Sequence, residues 1–261
     1  MPYTHNQDVK IYYEIEGQGP PLVFAHGGTG NMNSWRTYGY VEHFTNQYTV
    51  ILFDARGHGQ SDKPHAVMAY NYRSLVDDVI TVLDDLQIDK AHFWGYSLGG
   101  YIGFGLAKHY PQRIHSLIIG GASPYSDLRP TTDPPGPLLQ IMRKGIQEGP
   151  DAVVQGIRDL FGEITPAYET RLRSLDYQAQ AAFLEYWEYH LPGLEDVLPT
   201  MAMPCFIYIA DGDDPDFAHT KEYMRQIPNA SFLGLPGHTH VSANTQIDSI
   251  VPKAKDFLAK V

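Results

Sequence analysis

Short apolar runs alternating with helical patterns constrain this chain more than any other feature. Leu22 to Ala25, Val50 to Phe53, His92 to Trp94, Ser116 to Ile119 and Phe206 to Ile209 are mostly apolar and bounded by turn formers. Runs this short suit strands buried on both faces. Between the second and third, Leu75, Val79, Val82, Leu83 and Leu86 recur at spacings of three and four, which makes one apolar helical face. Asp77, Asp78, Asp84 and Asp85 fall mostly on the opposite face. Strand, helix, strand in repetition predicts an α/β fold: a doubly wound, mostly parallel sheet with helices on both sides. The segment Lys10 to Glu16 (KIYYEIE) alternates instead, which predicts an antiparallel edge strand. With 261 residues, 43% of them hydrophobic, the chain has enough apolar side chains for such a core.

The pattern breaks near residue 124. A Pro-rich connector, RPTTDPPGP from Arg129 to Pro137, is followed by helix-like segments at about Leu138 to Gln147, Ala152 to Phe161 and Ser174 to Tyr189. Strand character returns only after Pro204. Residues 124–200 therefore read as a helical cap inserted into a core of residues 1–123 and 201–261, and such insertions often form lids over a ligand site. Tyr177, Phe183, Tyr186, Trp187 and Tyr189 make the cap aromatic, and packing of the cap on the core accounts for at least half of these rings.

Charge and composition exclude several function classes. Lys and Arg number 19 against 30 Asp and Glu, a formal charge of −11. A surface of that sign repels nucleic acid and anionic membranes, so neither is an expected partner. Cys205 is the only cysteine, which leaves no internal disulfide and no CxxC site. No basic segment followed by an apolar one opens the chain, and no apolar run approaches a membrane span, so the expectation is a soluble cytoplasmic protein.

The strongest local signal is Gly95-Tyr96-Ser97-Leu98-Gly99-Gly100, a G-x-S-x-G turn between a strand (AHFW) and a helix (YIGFGLAKH). A sharp turn there forces the serine into strained backbone and lifts its hydroxyl above the sheet at a helix N-terminus, where developing negative charge is favoured. His26-Gly27-Gly28-Thr29-Gly30 follows the strand PPLVFA, and its glycines let backbone approach a ligand. No G-K-[ST] or G-x-G-x-x-G accompanies it, so it is not read as a phosphate loop. Asp54-Ala55-Arg56-Gly57-His58-Gly59-Gln60-Ser61 follows the strand VILF.

With HGG, D-x-R-G-x-G-x-S and G-x-S-x-G following one another along the chain, nearly all of it resembles the α/β-hydrolase superfamily. The resemblance implies a nucleophile Ser97, a later acid and a final His. Gly28 and Leu98 N–H groups would form the oxyanion hole, and Asp54 and Arg56 would fix a turn. The acid should follow the strand PCFIYIA, within Asp211-Gly212-Asp213-Asp214-Pro215. Counting forward from Pro204 selects Asp213, whereas counting back from Pro215 and Phe217 selects Asp214, which is preferred. The base should follow the last strand, Ser231 to Leu235, and the family ending L-P-G-x-x-H selects His240 over His238. A metal at His238 and His240 would need a third ligand that nothing signals. The other ten histidines are assigned packing or surface roles.

Serine at position 97 argues against dehalogenases and epoxide hydrolases of this fold, which carry aspartate there. The implied activity is hydrolysis of a carboxylic ester of a small or medium apolar substrate, with no cofactor. The same triad would serve a lactonase, a C–C bond hydrolase or a cofactor-free perhydrolase. A ligand-binding receptor on the same fold, with little turnover, is the alternative of another class.

Overall fold

A computed structural model describes residues 2–125, 134–212 and 216–261. In chain order the elements are β1 (Tyr3–Asn6), β2 (Val9–Gly17), β3 (Pro21–Ala25), α1 (Asn33–Thr37), β4 (Thr49–Phe53), α2 (Tyr72–Asp85), β5 (Ala91–Tyr96), α3 (Leu98–His109) and β6 (Ile114–Gly120). Then come α4 (Pro137–Glu148), α5 (Pro150–Phe161), α6 (Pro166–Arg173), α7 (Tyr177–Tyr189), β7 (Cys205–Ala210), α8 (Asp216–Tyr223), β8 (Ala230–Leu235), α9 (His240–Ala243) and α10 (Ile247–Leu258). The strands form one eight-stranded sheet in the order β1-β2-β4-β3-β5-β6-β7-β8. β1 pairs antiparallel with β2, and β2 antiparallel with β4; all other pairs are parallel. The α/β expectation and all of the predicted core strands hold.

The alternating Lys10 to Glu16 segment is antiparallel as expected, but it is not the edge. Tyr3–Asn6 pairs with its outer side, Tyr3 opposite Tyr12, and becomes the edge strand itself. A four-residue strand that short leaves little periodicity to read.

The order of the sheet reverses around β3. The chain leaves β3 for β4 on one side and returns to β5 on the other. The loops that follow β3 and β5 therefore emerge side by side at the same end of the sheet. Such a reversal opens a crevice at the carboxyl ends of the strands, where ligands of open α/β sheets bind.

Both faces of the sheet are covered. Val23, Ile51, Phe93 and Ile119 point to the side of α2 and α3, with Leu75, Val79 and Phe104. Phe24, Leu52, Trp94 and Ile118 point to the other side, with Trp35 of α1 and Ile250 and Leu258 of α10. Alternate residues of the same strands supply the two cores, as a period of two requires. One aspartate of α2 breaks the expected polar face. Asp78 is buried and takes a two-pronged bond from Arg56, whose Nε and Nη2 donate at 2.7 and 2.6 Å. Arg56 also donates to the Ala69 carbonyl at 2.7 Å, so it pins the loop after β4 to α2.

Between β6 and β7, α4 packs against α5 and α7, and α5 against α6. Pro137, Pro150 and Pro166 stand at the starts of α4, α5 and α6, where a missing N–H costs nothing. The predicted helix at Ser174 to Tyr189 begins at Tyr177 instead, with Asp176 capping it through a 3.0 Å bond from Ala179 N–H. α6 is an addition to the prediction. It buries only Leu172, so it shows no apolar stripe.

Candidate active site

Ser97 lies between the last residue of β5 and the first of α3, with φ 54° and ψ −110°. A non-glycine residue there carries strain of roughly 1–3 kcal/mol. The surroundings hold it: Ser97 N–H donates to Gly120 O at 2.8 Å, and Ser97 O accepts from Tyr101 N–H at 2.9 Å. The flanking glycines are required by space. A Cβ on Gly95 would collide with the Gly99 carbonyl, and one on Gly99 with the Ala25 carbonyl. This close approach lets Gly99 N–H donate to His26 O at 3.1 Å, which ties the first turn of α3 to the loop after β3.

Of the sequence-predicted residues, the fold brings Ser97 and His240 together. His240 Nε2 is 3.0 Å from Ser97 Oγ. His240 opens α9, whose start is set by Thr239, with Thr239 and Ser242 bonding each other's backbone N–H groups. The Tyr96 hydroxyl donates to the His240 carbonyl, and the two rings lie 5.3 Å apart. His238 belongs to the neighbouring turn. Its Nδ1 is 3.4 Å from Ser242 Oγ, and its carbonyl accepts from Gly212 N–H at 3.0 Å. The candidate acids Asp213 and Asp214 lie outside the described residues. Asp211 is exposed, and its carboxylate accepts from Gly237 N–H at 2.8 Å, so it braces the loop that leads to His240.

The expected oxyanion donors sit at the two loop ends of the crevice. Leu98 is the first residue of the twelve-residue α3, where a backbone N–H has no partner within the helix. Gly28 lies under α7, and a Cβ there would press on the Phe183 ring at 3.2 Å. The peptide joining Gly27 to Gly28 is held from its carbonyl side. Gly27 O accepts from Gly30 N–H at 2.9 Å and from His26 Nδ1 at 2.8 Å. In a trans peptide the N–H points away from the carbonyl, so these two bonds set the direction of Gly28 N–H.

His26 and His58 correct the expectation that the remaining histidines only pack or face solvent. His26 Nε2 accepts from Ala55 N–H at 3.1 Å, so its proton is on Nδ1, where Gly27 O needs it. Burial, with smaller contributions from the charges of His58 and Arg171, pushes the His26 pKa down to about 3 and keeps the ring neutral. His58 contacts Gly28 O through Nε2 at 2.7 Å and Arg56 O through Nδ1 at 2.9 Å. Burial lowers its pKa too, against the pull of those two carbonyls and of Asp54. The Phe183 ring packs edge-on against His58, centroids 5.3 Å apart. Asp54 accepts from Met32 and Gln60 N–H groups, both at 2.8 Å, so its role is to hold loops, as the resemblance implies. His26 and His58 lie inside motifs quoted from the sequence, which was the available signal; Tyr96 occupies a variable motif position and gave none.

A hydroxyl beside an imidazole, at a helix N-terminus and facing a fixed glycine peptide, can pass its proton to the ring and stabilise an anion beside it. Among the described residues, no three His, Cys, Asp or Glu side chains converge on a metal position, and no helix is long and apolar enough to cross a membrane.

The sequence pattern of the alpha/beta hydrolase fold matches residues 20–158. The chain belongs to that family. Its relatives within the alpha/beta hydrolases include 3-oxoadipate enol-lactonase 2 of Acinetobacter baylyi, 39% identical over 119 residues, or 45% of this chain and 43% of that protein. A putative carbamate hydrolase of Azorhizobium caulinodans is 35% identical over 46% of this chain and 43% of its own length. The chain is thus matched to less than half of either relative's length. A putative non-heme chloroperoxidase of Synechocystis aligns over 99% of this chain and 100% of its own, at 25% identity. The solved enol-lactonase of Burkholderia xenovorans superposes with a TM-score of 0.79 over 99% of this chain and 100% of that one, at 21% identity. That likeness is one of fold.

Proposed function

We propose that this alpha/beta hydrolase is a serine hydrolase that cleaves a carboxylic ester through an acyl-enzyme. The observation that carries the reading is the 3.0 Å approach of His240 Nε2 to Ser97 Oγ on a strained turn. Ser97 Oγ attacks the carbonyl carbon as His240 Nε2 takes its proton. Asp214, or Asp213 by the alternative count, accepts from His240 Nδ1–H, fixes the tautomer and stabilises the imidazolium. Gly28 and Leu98 N–H groups hold the tetrahedral oxyanion. The imidazolium then protonates the leaving alcohol. Water attacks the acyl-enzyme by the same route, its proton passing to His240 and back to Ser97, and releases the acid. The helical segment within residues 124–200 acts as the cap, with Phe183 over Gly28. A cyclic ester follows the same steps with the alcohol still attached, and the 39% identity to an enol-lactonase favours including lactones among the substrates.

The test is a panel of p-nitrophenyl esters and lactones together with a fluorophosphonate probe. Ser97→Ala is expected to lower kcat by about 10⁶ and abolish labelling. Asp214→Asn is expected to lower kcat by about 10⁴, with Asp213→Asn mild. Activity of Ser97→Ala within tenfold of the parent, with unchanged circular dichroism, would overturn the reading.

A further inference from the structure

We propose that Arg171 binds a carboxylate on the substrate, so that the preferred esters or lactones carry an anionic end. The inference deepens the serine-hydrolase reading and rests on it for the position of the scissile bond.

The chain has more acids than bases, and its basic side chains are mostly engaged. On the same group of helices, Arg158 and Arg173 both bond Glu169, and Arg173 also bonds Asp151. Half-buried Arg171 has no carboxylate partner among the described residues. Its Nη1 donates to Ser34 Oγ at 3.0 Å, its guanidinium lies over the Tyr168 ring 4.6 Å from the centroid, and its buried Nε has no hydrogen-bond partner. That Nε is shut off from solvent, as is the Nε of Arg158, so an incoming carboxylate would accept from the Nη atoms of the Arg171 fork. Stacking on Tyr168 holds the planar fork in place before a ligand arrives, which suits two-pronged carboxylate binding.

Arg171 lines a cavity of about 310 Å³ with Asn31, Ser34, Tyr38, Tyr168 and Thr170. Apart from Arg171, these side chains offer only neutral groups, so among the described residues no carboxylate competes for the cation there. The cavity adjoins the oxyanion loop. Tyr168 OH is 3.2 Å from Thr29 Oγ1, the residue after Gly28. Ser34 Oγ and His26 Nδ1 lie on the same side of Gly30, 3.2 and 3.5 Å from where its Cβ would stand. The Arg171 charge is close enough to contribute to the His26 shift. At 3.8 Å per residue, the guanidinium lies on the order of 10 Å from the Gly28 N–H. A substrate with its carbonyl at Ser97 and a carboxylate a short chain away would span the two. The protein's overall charge of −11 repels anions, so this local cation decides whether one is admitted.

The test compares p-nitrophenyl hemiesters of glutarate and adipate with analogues in which the free carboxylate is a carboxamide. The wild-type enzyme is expected to favour the carboxylates at least tenfold in kcat/KM, chiefly through KM. Arg171→Gln is expected to lower the carboxylate-to-carboxamide ratio of kcat/KM roughly 10- to 100-fold, the loss of a charge-assisted bond. Arg171→Lys, which keeps the charge without the fork, is expected to fall between. Free glutarate should inhibit the wild-type enzyme competitively, and glutaramide should not, a measurement that needs no variant. A ratio unchanged in Arg171→Gln would make Arg171 only a strut to Ser34 and overturn the proposal. Equal inhibition by glutarate and glutaramide would overturn it as well. Absence of turnover on both series, with no fluorophosphonate labelling, would strike the serine-hydrolase reading instead. Calorimetric binding of glutarate to Ser97→Ala protein, weakened by Arg171→Gln, would then still decide the anion site.

Discussion

His26→Leu separates the geometry of the loop after β3, the proposed oxyanion loop, from the chemistry of the serine. The substitution keeps an apolar body of similar reach in a site only 3% exposed, and removes two bonds. Gly27 O loses the His26 Nδ1–H donor at 2.8 Å but keeps Gly30 N–H at 2.9 Å. Ala55 N–H loses its acceptor at 3.1 Å and is orphaned in the interior. An orphaned donor costs about 1–3 kcal/mol and the other bond about 1 kcal/mol, so the variant should be destabilised by about 2–4 kcal/mol. The kinetic effect has a separate origin. With one tether left, the Gly27–Gly28 peptide can rotate, and its N–H no longer points at one place. Complete loss of an oxyanion donor costs about 10²–10³ in kcat. A loosened donor should cost less, about 30- to 100-fold, with KM little changed. p-Nitrophenolate release gives kcat, and urea melts give stability. An alkyl boronic acid, which forms a tetrahedral adduct, should bind more weakly in proportion to the fall in kcat/KM. Since the His26 pKa lies near 3, the loss should be the same from pH 6 to 9. A folded variant with kcat within threefold of the parent and unchanged boronate affinity would refute the argument that His26 aims the Gly28 N–H.

Two further outcomes follow from the histidines. His240→Ala should be as inactive as Ser97→Ala, whereas His238→Ala should retain activity within about tenfold, because only His240 reaches Ser97 Oγ; a dead His238→Ala measured on the same esters would reverse the assignment. Acid should destabilise the fold early: burial holds His26 near 3 and, with the charge of His115 adding to it, His92 near 4, both below the unfolded value of about 6.5. As pH falls below about 6.5 the unfolded chain takes up these protons and the native chain does not, so stability present above that pH is lost, by about 2 kcal/mol for each ring at pH 5. Urea midpoints that stay level from pH 7.5 to 5 would refute this, and His92→Asn should flatten the decline.

What the sequence made legible divides along a physical line. The core strands were readable because Val23, Ile51, Phe93 and Ile119 and their alternates are buried on both faces, so each strand is apolar throughout. The serine turn was readable because close approach by the Gly99 and Ala25 carbonyls leaves room for nothing larger than glycine at Gly95 and Gly99. α6 left no such trace, since a helix that buries one leucine has no stripe; its signals were the Thr165 cap, which accepts from Tyr168 N–H, and Pro166 behind it. Asp78 misled because a carboxylate on a helix reads as solvent-facing until its arginine is known, and Arg56 comes from a loop 22 residues away. The histidines make the same point more sharply. His26 and His58 lie in plain motifs, yet their roles depend on partners from other loops: Ala55 N–H for one ring, Gly28 O for the other. Those loops meet because the sheet reverses its order at β3, a non-local pairing that periodicity does not carry. The reversal puts the ends of β3 and β5 side by side, and that contact brings the glycines after β3 against the serine turn, where Gly99 N–H meets the His26 carbonyl. A change that keeps every motif residue but shifts the register of β3 against β5, where Ala25 pairs with Gly95, would therefore remove the site while leaving the motifs intact.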